Sequence, residues 1–454
     1  MKESAQPLPP ARPRLKPYPA YKDSGVEWLG AIPVHWHVKR LKRVFRVVNG
    51  STPASGEPEY WDGDIPWVTP EDLGDLRGPT ICESRRNITT SGYRSCGTTL
   101  VPAGSLVLST RAPIGHLALA GVDLCTNQGC RSLVFRAAAS REFFRHQLVA
   151  GRPELESLGQ GSTFRELAKG MLEDVELVEP AEAEQRAIAA FLDRETARID
   201  ALVAKKERLV ELLRGQRTSL ITRAVTKGLD PHVPMKDSGV EWLGEIPAHW
   251  EVKRLWHLTP SDRRIMYGIV LPGPNVDDGV PIVKGGDVSP ERLRLERLNR
   301  TTREIESGYV RSRLRGGDLV YAIRGSIGEV AMVPDELEGA NLTQDAARIA
   351  YTSATHGPWL AHALKSSAVF AQLEAGALGA TIRGINIRDL KRASMAVPPR
   401  AEQCAIADFL DRETARIEAL VRKVRDAIER LKEFRTALVS AAVTGKIDVR
   451  EEVA

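Results

Sequence analysis

Apolar side chains recur every seven residues in two long stretches of the chain, and charged residues fill many of the positions between them. This spacing places apolar side chains along one face of a helix and is typical of a coiled coil. Pro180 and Pro399 precede the two stretches, and Gly228 and Gly445 follow them, as expected at helix ends. The predicted seam consists of Leu192, Ile199, Leu202, Leu209, Leu213 and Leu220 in the first helix, and of Leu410, Ile417, Leu420, Val424, Leu431 and Leu438 in the second.

Two matching helices in one chain can cover each other's apolar faces, so the pattern predicts a coiled coil of helices roughly 60 Å long. A plain helical hairpin and a ruler that holds two domains apart both fit this pattern. Lys206 and Gln216 stand where the second helix has Val424 and Phe434. Polar residues in a seam either specify its register or mark a place where a partner docks.

The regions before each helix, about 31–180 and 245–398, alternate on a shorter period. "SLVLST" from Ser105 and "DLVYAI" from Asp318 have the alternation of strands, and the turn sequences "PAG" and "RGG" precede them. Brief helical patterns such as "SREFFRHQLV" from Ser140 occur between the predicted strands. The sequence therefore predicts two globular α/β domains, each followed by a long helix.

An internal repeat covers most of the chain. The stretch "KDSGVEWLGAIPVHW" at 22–36 returns as "KDSGVEWLGEIPAHW" at 236–250, an offset of 214 (236 − 22) with two differences. "AIAAFLDRETARIDALV" from Ala187 returns as "AIADFLDRETARIEALV" from Ala405, an offset of 218 (405 − 187). A period of this size means two whole domain-plus-helix units. The predicted layout is an N-terminal arm (1–20), a first domain (21–180), a helix (181–228), a linker and second domain (229–398), a second helix (399–446) and a tail (447–454).

Composition narrows the class of protein without identifying it. The 454 residues are 42% hydrophobic and 27% charged with a net charge of +5, a globular balance that is compatible with a polyanionic partner. No apolar run approaches the roughly 18 residues of a membrane span. The proline-rich start lacks the apolar segment of a secretion signal, so we expect a cytoplasmic protein. The five cysteines have an odd count and irregular spacing, which argues against a disulfide framework, and Cys125 and Cys130 are better explained as structural thiols than as a metal site.

Motifs of enzyme active sites are missing from the sequence. It has neither a phosphate-binding G-x-x-x-x-G-K-[ST] loop nor a G-x-G-x-x-G turn, and no carboxylate pattern of a nuclease. His35 and His249 each precede a tryptophan in the repeated motif, where a packing role is more common than that of a general base. These observations favour a protein that is not an enzyme.

Arginine and threonine residues in the predicted domains are candidates for contacts with DNA, because guanidinium groups suit phosphate oxygens and guanine edges. Several acidic residues lie between them, so an ion-paired surface is an equally good interpretation. One Thr–Arg pair recurs in both copies, in "GSTFR" and "GATIR", and one arginine recurs before "IG". The candidates are Arg85, Arg86, Arg94, Arg111, Thr163 and Arg165 in the first domain, and Arg297, Arg300, Arg303, Arg311, Arg313, Arg324, Thr381 and Arg383 in the second.

The order of these motifs resembles that of the specificity subunits of type I restriction–modification systems. The resemblance rests on "KDSGVEWLGAIPVHWHVKRL" and its copy, on "GSTFREL" and "GATIRGI", on "PAEAEQRAIAAFLDRETARID" and "PRAEQCAIADFLDRETARIE", and on the helix ends "LITRAVTKGLD" and "LVSAAVTGKID". It implies two target recognition domains in a pseudo-twofold frame, each reading one half of a bipartite double-stranded DNA sequence. The two long helices would pair antiparallel and set the gap between the halves. It also implies two methyltransferase subunits that carry S-adenosylmethionine, restriction subunits that use ATP and Mg²⁺, and no cofactor in this chain.

Under this interpretation the repeated motif joins a frame helix to a reading domain, and the two ends of the chain lie close together. Trp28, Trp36, Trp242 and Trp250 are then expected to be packing anchors. Three alternatives stay open: a coiled-coil scaffold that binds only protein, an enzyme with an unrecognised active site, and a methylation-only system without a restriction subunit.

Overall fold

A computed structural model of the chain describes residues 16–137, 139–161, 165–376 and 384–453. The chain divides into two compact units. Unit 1 contains residues 1–205 together with 427–454, and unit 2 contains residues 206–426. Each unit therefore holds one predicted domain, part of the first long helix and part of the second.

Unit 1 begins with short strands and ends in a long helix. Its strands are β1 (Tyr21–Asp23), β2 (Ala31–Pro33), β3 (His37–Arg40), β4 (Phe45–Asn49), β5 (Trp61–Val68), β6 (Thr80–Ile81), β7 (Asn87–Ile88), β8 (Leu106–Ser109), β9 (Leu117–Ala120), β10 (Cys125–Thr126), β11 (Cys130–Phe135) and β12 (Glu176–Glu179). Its helices are α1 (Leu41–Val44), α2 (Pro70–Asp75), α3 (Thr90–Ser95), α4 (Arg141–Ala150), α5 (Arg152–Ser157), α6 (Lys169–Asp174) and the first part of α7 (Glu182–Lys227).

Unit 2 repeats this order. Its strands are β13 (Met235–Asp237), β14 (Glu245–Pro247), β15 (Glu251–Arg254), β16 (Met266–Tyr267), β17 (Val280–Val283), β18 (Asn299–Thr301), β19 (Leu319–Ala322), β20 (Val330–Met332), β21 (Asn341–Leu342), β22 (Ala346–Ile349) and β23 (Ser394–Val397). Its helices are α8 (Arg303–Ser307), α9 (Gly357–Leu364), α10 (Ser367–Gly376), α11 (Ile387–Arg392) and the first part of α12 (Arg400–Val443).

The sheets of the two units have the same topology, although their sequences have diverged. The strand order β10-β5-β7 in unit 1 corresponds to β21-β17-β18 in unit 2, and β4-β11-β8-β9 corresponds to β16-β22-β19-β20. In each three-stranded sheet one pair is parallel and the other antiparallel. The larger sheet of unit 1 has a fifth strand, β6, at its edge, and the corresponding sheet of unit 2 has four strands. The prediction of a repeated α/β domain followed by a long helix is confirmed.

The seven-residue series that start at Leu192 and Leu410 occupy buried or partly buried positions at each predicted apolar member. Leu192, Ile199, Leu410, Ile417 and Leu438 are buried, and the other leucines of the same seven-residue series, with Val424, are partly buried. Helices α7 and α12 contain 46 and 44 residues without a break. At 1.5 Å per residue, α7 is about 69 Å long and α12 about 66 Å long.

The second stripe of the predicted seam is wrong. Leu202, Leu209 and Leu420 are 41–43% exposed and so lie outside the seam. The buried side chains of the second stripe, such as Thr196 and Val210, stand four residues after a member of the series that starts at Leu192. The predicted members stand only three residues after one. In both helices this second series reads Thr, Val, a β-branched residue, Arg and Ala: Thr196, Val203, Val210, Arg217 and Ala224 match Thr414, Val421, Ile428, Arg435 and Ala442.

An ion pair joins the two helices within each unit. In unit 1 the Arg435 guanidinium contacts the Asp200 carboxylate over 2.8 Å, and in unit 2 Arg217 contacts Glu418 over 3.1 Å. The two pairs are related by the repeat. Glu418 is 218 positions after Asp200, and Arg435 is 218 positions after Arg217. From the first ion pair to the second, the residue number rises from 200 to 217 in α7 and falls from 435 to 418 in α12. The two helices are therefore antiparallel.

The end of each long helix packs on a copy of the repeated motif. A Cβ on Gly445 would lie 2.3 Å from the Pro33 ring, and in unit 2 the ring of Trp250 lies against Gly228. In unit 2 the helix continues into its motif along the chain, whereas in unit 1 the contact is made by the opposite end of the chain. The amide of Asp448 donates to the carbonyl of Lys16 over 2.7 Å. The predicted closeness of the two ends is therefore found in the described residues.

Residues just before the motif are packed rather than loose. Tyr18 lies within the predicted N-terminal arm, yet it is 3% exposed and its hydroxyl donates to Glu184 over 2.7 Å. Burial, followed by the hydrogen bond to Glu184, raises the pKa of Tyr18 far above its ordinary value, so the phenol stays neutral. Within the described ranges, no helix combines the length and apolar character needed to cross a lipid bilayer.

A histidine ties each domain to its long helix, buried in unit 1 and partly buried in unit 2. His146 on α4 bonds to Asp193 on α7 over 2.7 Å, and His362 on α9 bonds to Asp411 on α12 over the same distance. Burial lowers the pKa of both histidines, and the hydrogen bond from His146 lowers that of Asp193. At neutral pH each ring is therefore an uncharged donor to a carboxylate.

We expect unit 1 to lose stability on mild acidification. Because the folded pKa of His146 lies below that of the unfolded chain, the unfolded chain binds more protons near and below pH of about 6.5. The stabilising contribution is complete above that pH and is lost as the pH falls through the folded pKa. Unfolding titrations between pH 5 and 8 should show a shallower pH slope for His146→Asn, while the exposed His37→Asn keeps the wild-type slope; equal slopes for all three would contradict this.

Candidate DNA interface

Three segments of unit 1 meet where the parallel strands β5 and β10 end: the end of β5, the turn after β10 and the loop after β8. The N–H of Asn127 in the turn donates to the carbonyl of Val68 over 3.0 Å. The carbonyl of Gly129 accepts bonds from the N–H groups of Thr110 and Arg111 over 2.8 and 3.2 Å. We call this place junction 1. Ligands often bind at the carboxyl ends of strands in α/β folds, which makes it a candidate site.

Unit 2 has the same arrangement, junction 2, at the ends of β17 and β21 and in the loop after β19. The N–H of Thr343 donates to the carbonyl of Val283 over 2.9 Å. The carbonyl of Asp345 accepts bonds from the N–H groups of Ile323 and Arg324 over 2.9 and 3.1 Å. The two junctions thus share one set of backbone bonds, although the turn sequences "TNQG" and "LTQD" share a single residue.

A glycine brings a fourth segment against each junction. A Cβ added to Gly50 would lie 2.0 Å from the carbonyl oxygen of Asn127, and one added to Gly268 would lie 2.0 Å from that of Leu342. Any side chain at these positions would push the segment away. The glycines therefore allow the backbone approach on which both junctions depend.

Three of the predicted DNA-contacting arginines lie at the junctions. Arg111 is exposed at junction 1 and bonds to Glu166 over 3.0 Å, and the carbonyl of the exposed Arg165 accepts a bond from the N–H of Ala112. At junction 2, Arg324 is exposed and lies 4.0 Å from a carboxylate oxygen of Asp345. Thr163, Thr381 and Arg383 lie outside the described residues.

The other candidates in unit 1 lie on or near α2, α3 and β5. The Arg85 guanidinium contacts Glu71 over 2.7 Å and also Asp75, so it has the ion-paired character of the alternative interpretation. Arg86 lies over the Trp61 ring, 3.6 Å from its centroid. Arg94 is exposed in the last turn of α3.

Arg313 is exposed at the surface of unit 2, but its guanidinium is engaged by a buried carboxylate. Its guanidinium makes two bonds, of 2.7 and 2.6 Å, to Glu306, which is 2% exposed and also accepts a bond from Asn341. The hydrogen bond from Arg313 keeps the pKa of Glu306 below its ordinary value. Arg300 is partly buried and donates to a backbone carbonyl, whereas Arg297, Arg303 and Arg311 are exposed.

Arg311 and Arg313 give a matched test of the two interpretations. Arg313→Ala leaves the buried Glu306 without its cation, and we expect it to lower the free energy of unfolding by about 2–3 kcal/mol because the guanidinium is half exposed. Arg311→Ala should change stability by less than about 0.5 kcal/mol. If Arg311 contacts a phosphate, its loss should also reduce the slope of log affinity for DNA against log salt by about 1. Denaturant titrations and binding at several salt concentrations measure both effects; a larger loss of stability for Arg311→Ala would contradict this assignment.

The histidines of the repeated motif link it to the start of each long helix. His35 contacts Glu184 over 3.0 Å, and His249 contacts Glu402 over 2.8 Å. The Trp250 indole N–H also donates to Glu402, over 2.9 Å. Both histidine side chains are exposed, so they contact the helix start through these polar bonds and are not packed in a core.

Structural thiols were expected, and Cys125 and Cys130 are buried and unpaired. Burial raises the pKa of Cys125 to about 11 and that of Cys130 still further, so both stay protonated at neutral pH. No group of three or more His, Cys, Asp or Glu side chains among the residues that the structure describes is arranged to hold a metal ion.

Comparison with known proteins gives the geometry a context. A sequence profile described as the type I restriction modification DNA specificity domain matches residues 33–212. The MjaIX specificity subunit of Methanocaldococcus jannaschii, a type I restriction enzyme, is 34% identical over 233 residues, which are 50% of this chain and 52% of that protein. The EcoBI specificity subunit of Escherichia coli is 24% identical over 420 residues, which are 90% of this chain and 80% of that protein.

Residues 33–212 thus match the type I restriction modification DNA specificity domain, and the chain is similar to type I specificity subunits along most of its length. Solved structures show that it shares their fold. An HsdS subunit from Thermoanaerobacter tengcongensis matches with a TM-score of 0.51 at 17% identity, over 92% of this chain and 98% of that one. A chain from a structural study of complex assembly and conformational transition in the type I R-M system matches with a TM-score of 0.68 at 17% identity, over 91% and 98%.

Within this family's fold, the repeated motif is part of the frame, with one exception among its tryptophans. Trp36 and Trp250 are fully buried, and Trp28 is partly buried against the core and Gly151. Trp242 is 44% exposed, so the prediction that it is a packing anchor was wrong. Gln128 and Gln344, which the turns of the two junctions hold at the same place, are not among the predicted site residues. The one residue shared by "TNQG" and "LTQD" is the signal in the sequence that marks them.

Proposed function

We propose that this specificity subunit recognises double-stranded DNA for a type I restriction–modification complex. Each unit reads one half of a bipartite sequence through the surface around its junction. The chain itself acts without catalysis, in the cytoplasm where the DNA lies. S-adenosylmethionine, ATP and Mg²⁺ belong to partner subunits in this proposal.

The proposal rests on a contrast between the two units: the sequence of the helical frame is repeated closely, whereas the sequences of the two domains differ. The frame is repeated almost letter for letter, down to the ion pairs between Arg435 and Asp200 and between Arg217 and Glu418. The strand topology and the junction bonds are repeated as well, while the side chains around them differ. A single frame that presents two unlike surfaces suits the reading of two unlike half-sites.

Exposed arginines supply the affinity that such reading requires. Contacts to phosphates hold a protein on DNA without regard to sequence and weaken as salt rises, whereas contacts to base edges discriminate between sequences. Arg111, Arg165 and Arg324 project from the junction loops, and Arg297, Arg303 and Arg311 are exposed elsewhere in unit 2. Because several have no close carboxylate among the described residues, they are available for phosphates.

The long helices have two tasks in this proposal. Their unbroken length of 46 and 44 residues sets the gap between the two half-sites, and half-sites about one turn apart face one side of the duplex. They also bind two methyltransferase subunits, to which restriction subunits are added. A methyltransferase must extrude its target base, so it benefits from a partner that grips the DNA on both sides.

The test is to map methylated adenines in DNA exposed to this chain together with its own methyltransferase subunit. The expected result is one bipartite motif with a gap of constant length. A continuous motif without a gap would contradict the role of the helices as a ruler. Methyl transfer or DNA cleavage by the purified chain alone would overturn the proposal that it is not catalytic.

A protein-binding scaffold without DNA recognition is the competing function. The affinity of the chain with its methyltransferase subunit for DNA should fall steeply with salt. It should also be higher for a duplex that contains the mapped motif than for a duplex in which that motif is scrambled. An affinity that does not depend on sequence would favour the scaffold.

A further inference from the structure

We propose that Gln128 and Gln344 are specificity-determining residues, each reading the edge of an adenine in the major groove of one half-site. The inference rests on the proposed function and gives it a definite chemistry in both units. Neither residue belongs to the arginine and threonine set that the sequence pointed to.

The two glutamines have equivalent positions in the fold. Each stands two residues after the parallel strand β10 or β21 ends, and one residue before the carbonyl that receives two N–H bonds from the neighbouring loop. They are 216 positions apart (344 − 128) and are the one identity between "TNQG" and "LTQD". The equivalent bonds of the two turns are backbone to backbone, and neither glutamine side chain takes part in them.

The backbone around each glutamine is fixed, which limits where its side chain reaches. At junction 1 the amide of Gly129 donates to the Asn127 side chain over 2.9 Å, and Arg131 donates to the carbonyl of Gln128 over 2.9 Å. At junction 2 the N–H of Gln344 donates to the carbonyl of Ile269 over 2.9 Å. A side chain on a rigid turn loses little freedom when it binds, so it is suited to a geometric contact.

The side chain of Gln128 keeps the groups that adenine requires. It is exposed, and its Oε1 accepts a hydrogen bond from the Thr52 hydroxyl. That bond orients the amide plane and occupies one of the two lone pairs of the oxygen. The second lone pair and the Nε2 donors remain for a ligand, as far as the described residues show.

Gln344 is half buried, and its side chain makes no hydrogen bond to another described residue. A glutamine amide without a protein partner at a rigid junction has its full donor and acceptor capacity available. The exposed Arg324 in the same junction corresponds to Arg111 beside Gln128. Each glutamine therefore has a cation nearby that suits a phosphate of the same duplex.

The chemistry favours adenine over the other bases. A glutamine amide donates from Nε2 to adenine N7 and accepts from adenine N6 through Oε1, a bidentate contact that no other base offers in the same geometry. A carboxylate in the same place lacks the donor and instead accepts from cytosine N4. Replacement of glutamine by glutamate is therefore a nearly isosteric change with a distinct expected result.

The experiment compares the methylated motifs produced by the chain with its methyltransferase subunit for Gln128→Ala, Gln128→Glu, Gln344→Ala and Gln344→Glu. We expect each alanine variant to lower discrimination at one base pair by about 10- to 100-fold. Gln128 variants should affect only one half of the motif and Gln344 variants only the other, so each pair is the control for the other. The glutamate variants should move the preference at the same position from adenine towards cytosine.

Glu142→Gln, an exposed change on helix α4, controls for general effects of substitution and should leave the motif unchanged. Thermal unfolding shows whether each variant is folded. A motif that stays unchanged in folded Gln128 and Gln344 variants would overturn this inference while the proposed function stands. Absence of any methylated motif with the wild-type chain would instead count against the proposed function itself.

Discussion

Trp36→Ala is expected to lower the free energy of unfolding of unit 1 by about 3–5 kcal/mol. The indole is completely buried, its ring centroid lies 5.8 Å from that of Tyr18, and it packs against Gly445 at the end of α12. Truncation would leave a cavity between the motif, the segment before it and the end of the helix. These three parts are far apart along the chain, so neighbouring atoms cannot easily close the gap.

Trp242→Ala is the matched control, since Trp242 comes from the second copy of the motif but is 44% exposed. We expect it to change stability by less than about 1 kcal/mol. Trp250→Ala, at the buried position equivalent to Trp36, should be as costly for unit 2 as Trp36→Ala is for unit 1. Hydrogen exchange resolved by peptide reports each unit separately. A changed DNA motif with unaltered stability in the Trp36 variant would contradict its assignment as a packing residue.

Gly445→Ala is expected to destabilise unit 1 by about 2–5 kcal/mol. About 1–2 kcal/mol comes from the backbone, because Gly445 has a φ of +71°, which an L side chain adopts at a cost. The rest, about 1–3 kcal/mol, comes from overpacking, since the added methyl group would lie 2.3 Å from Pro33.

Gly25→Ala separates these two contributions. Gly25 has nearly the same φ, +72°, but nothing lies within 4 Å of an added Cβ. It should therefore cost only the backbone part, about 1–2 kcal/mol. Calorimetric unfolding of both variants measures the difference, and equal losses would show that the contact between Pro33 and the end of α12 is not tight.

The sequence predicted the long helices well but only half of their contact face. Both Leu202 and Thr196 lie within a turn of the leucine series that starts at Leu192, and Leu202 is the more apolar type. The structure nevertheless buries Thr196 and exposes Leu202. Burial in a helix pair follows the angle around the helix axis, and a step of four residues lies nearer the seam here than a step of three. Hydrophobicity alone does not distinguish the two.

The candidate arginines show a similar limit. A cluster of basic residues in the sequence does not reveal which guanidinium meets a carboxylate after folding. Arg313 and Glu306 are seven residues apart and meet because α8 turns the chain back, while Arg311 two positions earlier is exposed. The junctions were equally hidden, because they depend on backbone bonds between Gly129 and Thr110 that no side-chain pattern encodes.

The segments of chain that make up each unit determine which unit can fold first during translation. Unit 2 is one uninterrupted stretch, residues 206–426, whereas unit 1 needs residues 427–454 in addition to its first segment. A ribosome therefore completes unit 2 before it delivers Val439 and Val443, which belong to the core around Trp36. Until then the nascent first domain presents uncovered apolar surface, a condition that favours aggregation and chaperone binding. A chain that stops at about residue 426 should yield a complete unit 2 attached to an incompletely packed unit 1.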